Sequence, residues 1–167
     1  FFFAGRGVRM PGKAGLEGLG LIPHGESEAI PLPELAAALQ EIPSRRRVVV
    51  LDVDFEQGQR GRGSGDPLSQ LDALLREAFL KGARGGAVVL AGAPEPGEEV
   101  QAYEERGLLT QYVVRGLQGA ADQGGDGLSY EDLGAYLTRH VLNLSEVALP
   151  KPQRPRVIAV SPRDLIR

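Results

Sequence analysis

Short apolar runs alternate along this chain with stretches in which apolar residues recur at helical spacing. The clearest run, Val48–Leu51, is continuous and β-branched, as is typical of parallel strands buried on both faces. The four predicted strands are Phe1–Ala4, Val48–Leu51, Ala87–Ala91 and Val157–Val160. This alternation predicts an α/β fold with a mostly parallel sheet.

The predicted helices lie between these runs and carry recognisable start signals. Asp66 and Pro67 are typical of an N-cap followed by a first-turn proline, and Gly82 is placed to end that helix. Ser129 with Asp132 resembles a capping box that uses Asp in place of Glu. The remaining helices are predicted over Pro33–Gln40, Leu108–Leu117 and Ser129–Val141.

Composition narrows the classes of function. The 167 residues suffice for about one domain, and 19 basic against 22 acidic residues give a net charge of −3. Nucleic-acid binding through bulk positive charge is therefore not expected. The absence of cysteine excludes disulfides, Cys-ligated zinc and thiol nucleophiles, but leaves the compartment undecided. No apolar run approaches the roughly 18 residues of a membrane span.

Loops after the strands are the expected place for a functional site, because the carboxyl ends of parallel strands share one crevice. Three segments follow predicted strands: 5–25, 52–65 and 92–97. In the second, Asp52, Asp54 and Glu56 would share one face if the strand continued, and their carboxylates could hold Mg²⁺. Asp-x-Asp after an apolar strand resembles haloacid-dehalogenase-type phosphatases, although Glu56 replaces the expected Thr or Val. The alternative is a solvated acidic strand end.

Weaker motifs have ordinary explanations. Gly5-Arg6-Gly7 lacks the third glycine of a dinucleotide fingerprint. Segment 122–132 is similar to a calcium loop but fails at two ligand positions, so a turn with Asp caps is preferred. His24 and His140 have no metal-ligand spacing and are interpreted as surface or helix-end residues. Arg60 and Arg62, in the glycine-rich segment 58–65, could bind an anion, but a linker is preferred.

Several segments in order resemble the caspase and metacaspase clan of peptidases, in its bacterial orthocaspase form. Segment 1–7 (FFFAGRG) resembles the strand that leads to Gly-His-Gly, and segment 47–54 (RVVVLDVD) the strand that leads to Asp-x-Cys. Segment 107–122, opening Gly-Leu-Leu-Thr, resembles the small-subunit helix. The resemblance covers essentially the whole chain. It implies a three-layer caspase-like fold, with 1–57 corresponding to the large subunit, 58–66 to the linker loop and 67–167 mostly to the small subunit.

The departures from the family pattern concern the catalytic dyad. Arg6 stands where the family has its histidine base, and Asp54 where it has its cysteine nucleophile. A guanidinium cannot accept a proton at ordinary pH, and a carboxylate is a poor nucleophile toward a peptide bond. The resemblance therefore implies a pseudo-enzyme without a cofactor, in which Arg6 and Asp54 form a salt bridge. Asp52 retains the position that lines a pocket for basic side chains in metacaspases.

The strands that open the family's sheet have no counterpart before Phe1. Three phenylalanines at a chain start are interpreted as part of a buried strand, and we expect a longer polypeptide of which this is the C-terminal portion. Without those strands the edge of Phe1–Ala4 is unpaired, which proteins rarely leave exposed. The expected partner is therefore the remainder of a longer polypeptide or another subunit. The competing hypothesis is a Mg²⁺-dependent phosphoryl-transfer enzyme, and a third is a calcium-responsive module through Asp122 and Asp126.

Overall fold

The chain forms a mixed α/β structure around one six-stranded open sheet with the strand order β3-β2-β1-β4-β5-β8. The computed structural model describes residues 1–10, 12–13, 15–23, 25–44, 46–56, 71–90, 102–103, 106–122, 124–148, 153–161 and 163–166. The strands are β1 Phe2–Arg9, β2 Leu19–Ile22, β3 Ile30–Pro31, β4 Arg46–Glu56, β5 Gly85–Leu90, β6 Ala102–Tyr103, β7 Arg106–Gly107 and β8 Arg156–Ala159. The α-helices are α1 Leu32–Glu41, α2 Leu71–Leu80, α3 Leu108–Arg115 and α4 Tyr130–Ala148, with a short 3₁₀ helix at Gly15–Gly18 and a π-helical turn at Gly116–Ala120.

Helices cover both faces of the sheet, because successive residues of the central strands point to opposite sides. From β4, Val49, Leu51 and Val53 join one buried cluster with residues of α1 and α2. The intervening Val50 packs on the other side, in a cluster built mainly from α3 and α4. Three layers result. None of the helices in the described segments is long and apolar enough to cross a membrane.

The α/β class is confirmed, but the expectation of a mostly parallel sheet is wrong. Among the described strands of the sheet, β1–β4 and β4–β5 pair in parallel, whereas β1–β2, β2–β3 and β5–β8 are antiparallel. In the described part of the connection between β1 and β2 there is one short 3₁₀ helix, and a short connection is enough to join two antiparallel strands. Before β8 the chain passes through two helices, α3 and α4, and enters the last strand from the opposite end.

Several predicted boundaries also need correction. β1 continues through Gly5-Arg6-Gly7 to Arg9, and β4 continues through Asp52 to Glu56, so the motifs assigned to loops lie within strands. α4 extends seven residues beyond the predicted end at Val141, to Ala148. The helix predicted over Leu108–Leu117 is α-helical only to Arg115. Asp66, Pro67 and the segments 58–66 and 92–97 lie outside the described residues.

Two capping arrangements fix helix ends. The predicted box is confirmed: the Ser129 backbone N–H donates to Asp132 Oδ2 and the Asp132 N–H donates to Ser129 Oγ, both at 3.1 Å. The guanidinium of Arg47, at the start of β4, donates to carbonyl oxygens at the ends of two helices. Nη1 donates to the carbonyls of Phe79 in the last turn of α2 and of Lys81 just after it, and Nη2 donates to Gln40 in the last turn of α1, at 3.3–3.5 Å. A cation at the carboxyl-terminal ends of both helices interacts favourably with the negative ends of their dipoles.

The first half of β1 has one open side. The Phe1 carbonyl accepts from Val50 N–H at 2.9 Å, so the backbone groups of odd-numbered β1 residues point to β4. Those of Phe2 and Ala4 therefore point the other way, toward the side of β2, whose last residue, Ile22, pairs with Arg6 and does not extend beside them. The side chain of Phe2 is 48% exposed. The open edge expected for the start of the chain is thus present along Phe2–Ala4, as far as the structure describes its surroundings.

Candidate functional site

Asp52 is the buried carboxylate around which the candidate site is built. It lies in β4 and is 3% exposed, because apolar neighbours in the strand hold it inside the three-layer core. Its Oδ2 accepts a hydrogen bond from the backbone N–H of Thr110 at 3.1 Å and a second from the Thr110 hydroxyl. Thr110 is the third residue of α3. The carboxylate of a distant strand therefore does what an N-cap side chain ordinarily does.

Gly107 explains why the cap must come from elsewhere. This residue occupies the N-cap position of α3 and has no side chain to bond the first turn. A Cβ atom built on Gly107 would lie 1.9 Å from Asp52 Oδ2 and 2.7 Å from its Cγ. The glycine is required by this close approach rather than by its backbone angles, which are φ −59° and ψ 132°. Gly107, Thr110 and Asp52 thus form one unit that joins α3 to β4.

Burial and hydrogen bonding act on Asp52 in opposite directions. Removal from water raises the pKa of the Asp52 carboxyl, and this effect exceeds the lowering by the two bonds from Thr110. The other oxygen, Oδ1, is buried and has no hydrogen-bond partner in the part of the chain that the structure describes. A carboxylate in this setting retains unsatisfied acceptor capacity, which is costly in a protein interior.

Arg6 and Asp54, the positions that the resemblance assigns to the dyad, are register partners on β1 and β4. Ala4 and Asp52 pair two residues earlier in the same ladder. The Arg6 side chain is exposed. The side chain of Asp54 lies outside the described part of the structure, so the proposed salt bridge stays a prediction.

The acidic set Asp52, Asp54 and Glu56 does lie on one continuous strand, as the magnesium hypothesis requires. Asp52 Oδ2, however, is committed to the first turn of α3. The side chains of Asp54 and Glu56 are not among those described. Within the described residues, no group of three or more acidic, histidine or cysteine residues is placed to hold a metal ion.

Two other candidate residues, Asp122 and His140, make local hydrogen-bond or ring contacts in the structure. Asp122 Oδ1 accepts from the Gly125 N–H at 2.7 Å, which is a local turn of the kind preferred from the sequence. His140 lies within α4 and not at a helix end. It is half-buried, its ring stacks on that of Tyr112 with the ring centroids 5.6 Å apart, and its centroid lies 4.4 Å from that of Tyr136. His24 and segment 58–65, with Arg60 and Arg62, lie outside the described residues.

Comparisons with known proteins add no assignment. No protein-family model, curated protein or solved structure matches the chain.

Proposed function

We propose that the chain is a catalytically inactive caspase-like domain that serves as a structural, binding or regulatory module of a larger protein or complex. The observation that carries this proposal is the register of β1 and β4, which pairs Arg6 with Asp54 on neighbouring parallel strands. The two positions at which the family pattern has base and nucleophile are thereby level with each other. Neither residue can perform the chemistry of a histidine–cysteine dyad.

The chain contains no cysteine at all, so no other thiol can take over the nucleophile's role. The Gly107–Thr110–Asp52 unit supports a structural role for the neighbouring part of the sheet. Its carboxylate is used to seat a helix and is not exposed to a reacting group. The open side of β1 at Phe2 and Ala4 supports the module hypothesis, since free backbone donors and acceptors are what an added strand pairs with.

The experiment that tests the assignment of Arg6 and Asp54 uses the absence of cysteine. The variants Arg6→His/Asp54→Cys and Arg6→Ala/Asp54→Cys each carry one thiol, and its alkylation by iodoacetamide is followed between pH 5 and 9. A histidine beside the cysteine favours the thiolate, so the variant with Arg6→His should be alkylated faster below pH 7 than the variant with Arg6→Ala. Identical pH–rate profiles would show that the two positions do not meet as a dyad. The wild-type chain should hydrolyse no fluorogenic peptide, whereas turnover would overturn the proposal of inactivity.

A second candidate function is non-catalytic binding of a basic side chain at Asp52. The observation in its favour is Asp52 Oδ1, which has no hydrogen-bond partner among the described residues; because this oxygen is buried, a guanidinium reaches it only if the residues around Asp52 move. A guanidinium is a strong charged donor to a carboxylate, and Oδ1 is the oxygen that Thr110 does not engage. Calorimetry with an arginine-containing peptide and its citrulline counterpart tests this. Binding of the arginine peptide alone, lost in Asp52→Asn, is the expected result, and equal affinities or no binding would contradict it.

A further inference from the structure

We draw no further inference here: the strongest candidate, the open side of β1 at Phe2 and Ala4 with the exposed Phe2 ring, carries nothing beyond the proposed module role because nothing in the structure shows what covers it.

Discussion

Replacing Gly107 with alanine tests whether Asp52 acts as the N-cap of α3. The new Cβ atom would stand 1.9 Å from Asp52 Oδ2, far inside any permitted contact, and Asp52 is 3% exposed and cannot swing into solvent. We expect the Asp52–Thr110 hydrogen bonds to break, which leaves the buried carboxylate with neither oxygen bonded.

The magnitude follows from what is lost. A hydrogen bond to a charged group contributes about 1.5–3 kcal/mol, and loss of a helix N-cap costs about 0.5–2 kcal/mol. These contributions overlap, since they describe the same contacts, and Gly107→Ala should lower the free energy of unfolding by about 3 kcal/mol. Domains of this size are stable by only about 5–15 kcal/mol, so the loss is readily measured by urea unfolding.

A double-mutant cycle separates the clash from any other effect of the substitution. In an Asp52→Ala background the obstructing carboxylate is absent, and the backbone angles of Gly107 suit alanine. Gly107→Ala should then cost only about 1 kcal/mol, the ordinary advantage of glycine over alanine at an N-cap, and clearly less than in the wild-type background. The matched control is Gly134→Ala in α4, where the added Cβ would meet Val157 at an ordinary 3.4 Å and helix propensity favours alanine by up to about 1 kcal/mol. An equal cost of Gly107→Ala in both backgrounds would refute the capping argument.

Three further substitutions probe single features. Asp52→Asn removes the carboxyl whose pKa in the folded protein is raised by burial. As the pH rises from about 4 through that pKa, the wild type should lose stability relative to this variant, because its buried carboxyl must ionise. Parallel curves of unfolding free energy against pH, measured with urea, would contradict this. Arg47→Met keeps an apolar side chain but removes the cation from the ends of α1 and α2, and it should lower the free energy of unfolding by about 1 kcal/mol. In the control, Arg46→Met at the exposed neighbouring position, urea unfolding should show a change of less than about 0.5 kcal/mol. Ser129→Ala should cost about 1 kcal/mol by loss of the capping box, and an unchanged urea midpoint would show that Asp132 needs no partner there.

The sequence pattern located the central elements because their signals are local. The run at Val48–Leu51 has the continuous apolar character of a strand covered on both faces, and β4 does pack against helices on both sides. The Ser129–Asp132 box depends on residues three positions apart and could be recognised without tertiary information. The pattern predicts strand ends too early, since polar residues such as Asp52 and glycines such as Gly5 ordinarily mark the start of a loop.

Whether two strands pair in parallel or antiparallel depends on the path of the connection between them, and the pattern of apolar residues does not predict that path. Alternating strands and helices favour a parallel sheet only when each connection is one crossover helix. Here the short link between β1 and β2 and the two successive helices before β8 reverse the chain instead.

The Asp52–Gly107–Thr110 unit shows why the site itself was beyond local reasoning. A carboxylate that follows an apolar strand is expected at a solvated strand end or a metal site, and both expectations assume that the strand stops. The strand continues for four residues beyond Asp52, and the carboxylate is enclosed by α3, whose first turn lies 55 or more positions away in the chain. The sequence offers one signal, which is the lack of a capping side chain before α3. Gly107 precedes the helix pattern at a position where Ser, Thr, Asp or Asn is usual, so the first N–H groups of the helix need water or an acceptor from another element. An uncapped helix start together with a carboxylate in a buried strand therefore favours a contact between them, although neither residue alone indicates it.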